Sequence, residues 1–287
     1  MSYTTLVDTQ TLAAHLDDPS WILFDCRFSL AEPERGRRDY LAAHIPGAQY
    51  LDLNRDLSAP VAPGKTGRHP LPRADEAARI FSRCGVSATS QVVAYDDLSG
   101  AIAARLWWML KWLGHDAVAV LDGGWPRWLA SGGAARSHEE RRPPSQLEVR
   151  SRPALLATTD EVRRRRDHPD FVMLDARAPE RYRGEVEPID PVAGHIPGAR
   201  SAPFKENLDP EGRFLSPTQL RSRLEPLLRS LPAGEAVVYC GSGVTAAHDI
   251  LAFEAAGLGS PRLYVGSWSE WITDPDNPVA VGDTAGG

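Results

Sequence analysis

The chain is written twice. Ile22-Leu23-Phe24-Asp25-Cys26-Arg27 is matched by Val172-Met173-Leu174-Asp175-Ala176-Arg177, and His44-Ile45-Pro46-Gly47-Ala48 recurs as His195-Ile196-Pro197-Gly198-Ala199. The run Gln91–Asp96 parallels the run ending at Tyr239-Cys240, and Leu121-Asp122-Gly123-Gly124-Trp125 parallels Tyr264-Val265-Gly266-Ser267-Trp268. Spacings run from 143 (Leu121 to Tyr264) to 151 (His44 to His195). Four blocks in one order at a domain-sized period mean a duplicated domain and exclude a solenoid, whose repeats are far shorter. With 287 residues, each half can bury its own core. The stretch Ser137–Pro144 is charged, proline-bearing and poor in apolar residues, which places the boundary there. Predicted domains are 1–136 and 150–287, joined by a linker over 137–149.

Within each half, short apolar strands alternate with helical patterns, the signature of an α/β domain with a mostly parallel sheet flanked by helices. In the second half strands are expected near 171–175, 236–240 and 262–265, with helices near 159–168, 217–230 and 245–256. Ligands of such sheets bind beyond the carboxyl ends of the strands. Cys240 sits at that edge, and Arg177 follows the end of another strand. Asp96 stands where Cys240 stands, so only the second half can run thiol chemistry, and the first is expected to serve as a structural partner and cleft wall.

Cys240 closes an apolar run and opens Gly241-Ser242-Gly243-Val244-Thr245, after which a helix is expected. A strand that breaks into glycines and then a helix aims successive backbone N–H groups at the helix start, where the dipole also favours an anion. A thiol held there exists largely as thiolate, the reactive form. The same loop argues against phosphate-ester chemistry. Loops of this kind in phosphatases carry an arginine six positions after the cysteine, and here that position is Ala246. The small loop suits a compact anion such as a persulfide.

Composition narrows the field further. A net charge of −6 argues against broad nucleic-acid binding. The run Arg163-Arg164-Arg165-Arg166 reads as a solvated helix face. No apolar stretch is long enough to span a bilayer: Ala101–Leu113 is short and carries Arg105 and Lys111. The first residues lack the pattern of a secretory signal. Three cysteines (Cys26, Cys84, Cys240) without metal-type spacing do not form a disulfide framework, so a reducing, cytoplasmic setting is expected. No metal-ligand cluster, dinucleotide fingerprint or other cofactor motif is present. The tail after Pro278 is expected to be disordered.

Asp-x-Arg followed by His-Ile-Pro-Gly-Ala, twice, together with Cys-Gly-Ser-Gly-Val-Thr at 240–245, resembles the rhodanese family, specifically its two-domain sulfurtransferases, over nearly the whole chain. The resemblance implies tandem rhodanese-like domains and ping-pong sulfur transfer through a persulfide on Cys240. Basic residues just after the cysteine mark thiosulfate sulfurtransferases, and Gly-Ser-Gly there is similar to the 3-mercaptopyruvate enzymes. Physics agrees in direction, because dianionic thiosulfate wants cations beside the nucleophile and this loop supplies none. By the same resemblance Gly241, Gly243, Val244 and Thr245 line the donor site, Ser242 polarises the donor or relays a proton, and Arg177 clamps the donor carboxylate. An ion pair that merely holds the loop is the other role open to Arg177, since Arg27 occupies the matching place in the inactive half. Relatives use a second arginine. Arg181 and Arg183 are the candidates, though neither falls at the family spacing. His69 is similar to a histidine that some relatives pair with the loop serine and an aspartate. Here Asp52 lies near in sequence, while Asn54 takes the expected aspartate position, a departure from the pattern.

His44 and His195 open turns set by proline and glycine and are expected to tie them to nearby backbone. The tryptophans, Trp107, Trp108, Trp112, Trp125, Trp128, Trp268 and Trp271 among them, are expected in core and interdomain packing. The function expected is sulfur transfer from a small donor, 3-mercaptopyruvate, to a thiol (a thioredoxin-like protein or small thiol) or to cyanide, with no cofactor, metal, nucleic-acid or membrane partner. The alternatives are a thiosulfate:cyanide sulfurtransferase and a non-enzymatic module that binds a partner or carries persulfide sulfur.

Overall fold

The computed structural model describes residues 2–283. Contacts divide the chain into two compact units. The first holds the residues up to Ala59, Leu71–Arg152 and Pro210–Arg213; the second holds Pro60–Pro70, Pro153–Asp209 and the residues from Phe214 on. The units thus depart from a simple cut in sequence, because the segment Pro60–Pro70 packs with the second unit. Residues 137–149 do not hang free. The Glu140 N–H donates to Tyr40 Oη at 2.8 Å and the Ser145 N–H to the Ser82 carbonyl at 2.8 Å, so this stretch lies against the first unit.

The first unit is built on β1 (Leu6–Val7), β2 (Trp21–Asp25), β3 (Ala48–Tyr50), β4 (Gln91–Tyr95) and β5 (Val118–Leu121). They pair in the order β1-β5-β4-β2-β3, all parallel. The second unit repeats this with β6 (Leu156–Ala157), β7 (Val172–Asp175), β8 (Ala199–Ser201), β9 (Ala236–Tyr239) and β10 (Arg262–Tyr264), in the order β6-β10-β9-β7-β8 and again all parallel. Every residue of β2, β4, β7 and β9 is buried, as expected of strands covered on both faces. Each sheet packs a core containing the tryptophans of its final helix, Trp125 and Trp128 in one unit, Trp268 and Trp271 in the other.

Local departures from the sequence expectations have simple causes. The helix expected over 217–230 ends at Leu224 and tightens into a 3₁₀ turn, Glu225–Leu228, because Pro226 has no N–H to donate. The helix after Thr158, capped by that residue's hydroxyl, ends at Arg165. The arginine run on it is only partly solvated: Arg163 pairs with Asp274 and Arg165 with Glu161 and Glu235. The tail is ordered further than expected, since His195 and Ala280 exchange backbone hydrogen bonds and the Gly282 N–H donates to the Arg183 carbonyl at 2.9 Å. Residues 284–287, the rest of that tail, lie outside the described residues.

The two histidines that open the turns act as expected from the residues around them. His44 Nδ1 bonds the Tyr40 carbonyl at 2.7 Å, and His195 Nδ1 bonds that of Tyr182 at 2.8 Å. Each ring also stacks on the same tyrosine.

In the first unit the turn after β4 closes around the carboxylate of Asp96. Its Oδ1 accepts from the N–H groups of Leu98 and Gly100, both at 2.8 Å, and its Oδ2 from Ile102 at 2.7 Å and Ala103 at 2.8 Å. Burial pushes the Asp96 pKa up, against the pull of those four donors. Asp96→Ala would leave four N–H groups without this acceptor, three of them in buried contacts, and is expected to lower stability by roughly 3 kcal/mol, measured by urea unfolding of the whole chain.

Candidate active site

The same turn in the second unit carries Cys240. Its chain is sewn to the short helix Ser267–Trp271: the Cys240 carbonyl accepts from Trp268 N–H at 3.0 Å, the Gly241 carbonyl from Ser269 N–H at 2.9 Å, and the Cys240 N–H donates to Ser267 Oγ at 3.1 Å. Gly243 has φ +74°, and a Cβ there would come within 2.4 Å of the Val265 carbonyl oxygen, so no side chain fits. Held in this shape, the loop brings the Gly243 N–H to 3.2 Å from Cys240 Sγ. Val244 is buried beneath, and Thr245 starts the helix Thr245–Ala255. Ala246 is fully buried at the point where a phosphatase would need its arginine.

Ser242 and His69 meet. Ser242 Oγ lies 2.7 Å from His69 Nδ1, and both residues are buried. They are 173 positions apart, and the contact exists because Pro60–Pro70 belongs to the second unit. The Arg68 N–H anchors that segment by donating to Ser269 Oγ at 3.0 Å, on the helix that also fixes the cysteine loop. Asp52 is engaged in a local turn, where its Oδ1 accepts from the Asn54 N–H at 2.8 Å and the Arg55 N–H at 2.9 Å.

Arg177 is not free to clamp a donor. Its guanidinium holds Asp175 at 2.6 Å and the Gly194 carbonyl at 2.6 Å, reaches Glu187 at 3.4 Å, and lies over the Trp268 ring; its side chain is 1% exposed. Burial alone would lower its pKa, but the Asp175 carboxylate prevails and holds it above the usual arginine value. Arg27 repeats the arrangement, with Asp25 at 2.6 Å, the Ala43 carbonyl at 2.6 Å and the Trp125 ring beneath. A pair present in the unit without the cysteine is structural, so the clamp reading of Arg177 gives way to the ion-pair one. Arg183 also turns elsewhere, pairing with Glu185 at 2.8 Å.

Arg181 and a residue that the sequence did not single out, Arg68, take the place beside the loop. A Cβ built on Gly241 would sit 3.0 Å from Arg68 Nη2 and 3.7 Å from both Arg181 Nη1 and Nη2. The loop's own residues carry no cation, but two guanidinium groups border it. Both are anchored on Asp190: Arg68 pairs with one oxygen and Arg181 with the other at 3.1 Å. Arg181 also holds Glu187 at 2.7 Å. Burial pushes the Glu187 pKa up, yet Arg181 and the N–H groups of Asp190 and Ile189 bring it below the usual value. The sequence offered one signal for Arg68, its place next to His69. It offered none for Asp190, whose partner lies 122 positions away.

The family profile for rhodanese-like domains matches residues 8–131 and 158–274. Over 284 residues, 99% of this chain and 100% of the relative, the sequence is 52% identical to a Pseudomonas aeruginosa protein provisionally named a 3-mercaptopyruvate sulfurtransferase. It is 39% identical over 271 residues, 92% of each chain, to a Mycobacterium tuberculosis protein provisionally named a thiosulfate sulfurtransferase. Among solved structures, the 3-mercaptopyruvate sulfurtransferase of Leishmania major superposes with a TM-score of 0.81 at 32% identity, covering 93% of this chain and 74% of that one.

The cysteines differ in environment. Burial pushes the Cys84 thiol up to about 11, and burial followed by the Asp25 charge pushes Cys26 well above its ordinary value. Cys240 is instead met by an N–H donor. At pH 7 iodoacetamide is expected to label Cys240 at least ~10-fold faster than Cys84 or Cys26, read by peptide mass mapping, even though Cys84 is the more exposed residue.

Proposed function

Because the chain belongs to the rhodanese family, through both of its rhodanese-like domains, we propose that it is a sulfurtransferase that takes sulfur from 3-mercaptopyruvate onto Cys240 and passes it to a thiol or to cyanide. The observation that carries this reading is the Cys240 loop. Its Sγ is held by the Gly243 N–H, and the Ser242–His69 contact lies two residues along. The full-length likeness to a relative named for the same donor supports it.

In the first half-reaction the Cys240 thiolate attacks the thiol sulfur of the donor. A sulfur–sulfur bond forms, the carbon–sulfur bond breaks, and its electron pair leaves with the carbon as pyruvate enolate. The thiol proton ends on that carbon, giving pyruvate, and Cys240 keeps a persulfide anion. Ser242 and His69 carry the proton, since a hydroxyl against an imidazole can both accept and release one near neutral pH. Backbone N–H groups of the loop stabilise the thiolate and then the persulfide. Arg181 and Arg68 hold the donor carboxylate, the work sequence reasoning gave to Arg177. Gly241 lets them come close. In the second half-reaction an acceptor thiolate or cyanide attacks the outer sulfur and restores the Cys240 thiolate.

A second donor, thiosulfate, is favoured by the two arginines beside Gly241 and by the name of the Mycobacterium tuberculosis relative. A module that only stores persulfide is the remaining reading. The unpaired cysteines fit a reducing, cytoplasmic setting. Among the described residues no helix is long and apolar enough to cross a membrane, and no cluster of metal-ligating side chains occurs.

Steady-state turnover with each donor tests the proposal. Pyruvate release from 3-mercaptopyruvate is expected to exceed thiosulfate turnover in kcat/KM, to vanish in Cys240→Ser, and to fall about 10²-fold in His69→Ala. Turnover surviving in Cys240→Ser would sink the nucleophile, and a thiosulfate preference would replace the donor.

A further inference from the structure

Two guanidinium groups beside Gly241 in the cysteine loop should welcome a dianion, yet here each is already answered. Asp190 contacts both: one carboxylate oxygen pairs with Arg68 and the other with Arg181 at 3.1 Å. Glu187 takes the second partner position on Arg181 at 2.7 Å. Arg177 and Asp175 form the neighbouring pair. The border of the loop therefore carries two arginines (Arg68, Arg181) against two carboxylates (Glu187, Asp190), and their formal charges cancel.

The carboxylates are not solvent-screened decorations. The side chains of Asp190 and Glu187 are 3% and 4% exposed, whereas those of Arg68 and Arg181 are 26% and 15% exposed. The cations face outward and the anions lie behind them. The Asp190 N–H donates to Glu187 Oε1 at 3.1 Å, which ties its backbone to the same cluster, and its carboxylate is held between Arg68 and Arg181. A donor anion at the loop meets two guanidinium groups whose field is already reduced by fixed negative charge within salt-bridge distance.

We infer that Asp190 is a specificity-determining residue that neutralises Arg68 and Arg181 and so matches the site to a monoanionic donor, a 2-oxo acid thiol, over a dianionic one, thiosulfate. The inference rests on reading the Cys240 loop as the donor site and names what selects the donor there. The physical reason is that a fixed negative charge repels a dianion twice as strongly as a monoanion at the same distance. The selection made by basic residues within the loop in other sulfurtransferases is made here from outside it, by an acid that holds two arginines in check.

The test compares wild type, Asp190→Asn and Asp190→Glu with both donors. Asp190→Asn is expected to raise the ratio of kcat/KM for thiosulfate to that for 3-mercaptopyruvate about 10-fold at low salt, with the gain shrinking as ionic strength rises. Asp190→Glu keeps the charge and is expected to hold the ratio near that of wild type, an outcome that mere loosening of the loop would not give. Should Asp190→Asn fail to fold, Arg68→Gln gives the opposite sign, weakening thiosulfate more than 3-mercaptopyruvate.

A binding measurement separates this inference from the reading beneath it. In the Cys240→Ser background, calorimetry with thiosulfate and with pyruvate as monoanion is expected to show Asp190→Asn tightening thiosulfate selectively. An unchanged ratio in both the kinetic and the calorimetric series would overturn the role of Asp190 while leaving sulfur transfer at Cys240 standing. Absence of turnover with either donor in wild type would remove the donor reading, and the calorimetric ratio would still decide whether Asp190 selects by charge.

Discussion

One backbone turn, the one that follows the central strand of each sheet, governs the rest. In the first unit it closes on a carboxylate with four N–H donors. In the second it carries a cysteine whose sulfur already receives one. Such a turn is an anion cradle by construction, because the strand end and the following helix leave several N–H groups without intrahelical partners. The first unit shows what the cradle accepts when the chain supplies its own anion. The second has no such anion on the side chain, so the cradle is open to a thiolate and to the persulfide proposed above.

The rest of each unit keeps that turn in shape. The helix Ser267–Trp271 grips the loop through Ser267, Trp268 and Ser269, and the matching N–H of Trp125 binds the Asp96 carbonyl at 2.8 Å in the first unit. The Arg177–Asp175 and Arg27–Asp25 pairs lie on the tryptophans of those helices, joining the end of one strand to the carbonyl of Gly194 or Ala43. A buried ion pair of this kind gains its value from well-placed hydrogen bonds, and its loss would leave a charge stranded in the core.

Much of this was legible in the sequence because it is local or repeated. The duplication, the parallel order of strands and the cysteine loop all follow from patterns within a few residues or from the comparison of the two halves. The His69–Ser242 contact was legible only through resemblance, since no spacing rule links positions 173 apart. Arg177 shows the limit most clearly. Its place after a strand end fits a ligand-binding arginine and a structural one equally well, and only the direction of its guanidinium, toward Asp175 and Gly194, decides. Arg68 and Asp190 were invisible for a related reason. Their meeting depends on the segment Pro60–Pro70 packing with the second unit, which is tertiary information. The break of the helix at Pro226, by contrast, is local, since a proline there has no N–H to donate.

The central claim is that Cys240 carries the transferred sulfur as a persulfide. It is tested most directly by intact and peptide mass spectrometry of the protein after brief exposure to 3-mercaptopyruvate with no acceptor present. The account predicts a gain of one sulfur atom, confined to the peptide containing Cys240 and discharged by added cyanide. A sulfur found on Cys26 or Cys84, or pyruvate released with no sulfur retained on the protein, would contradict it.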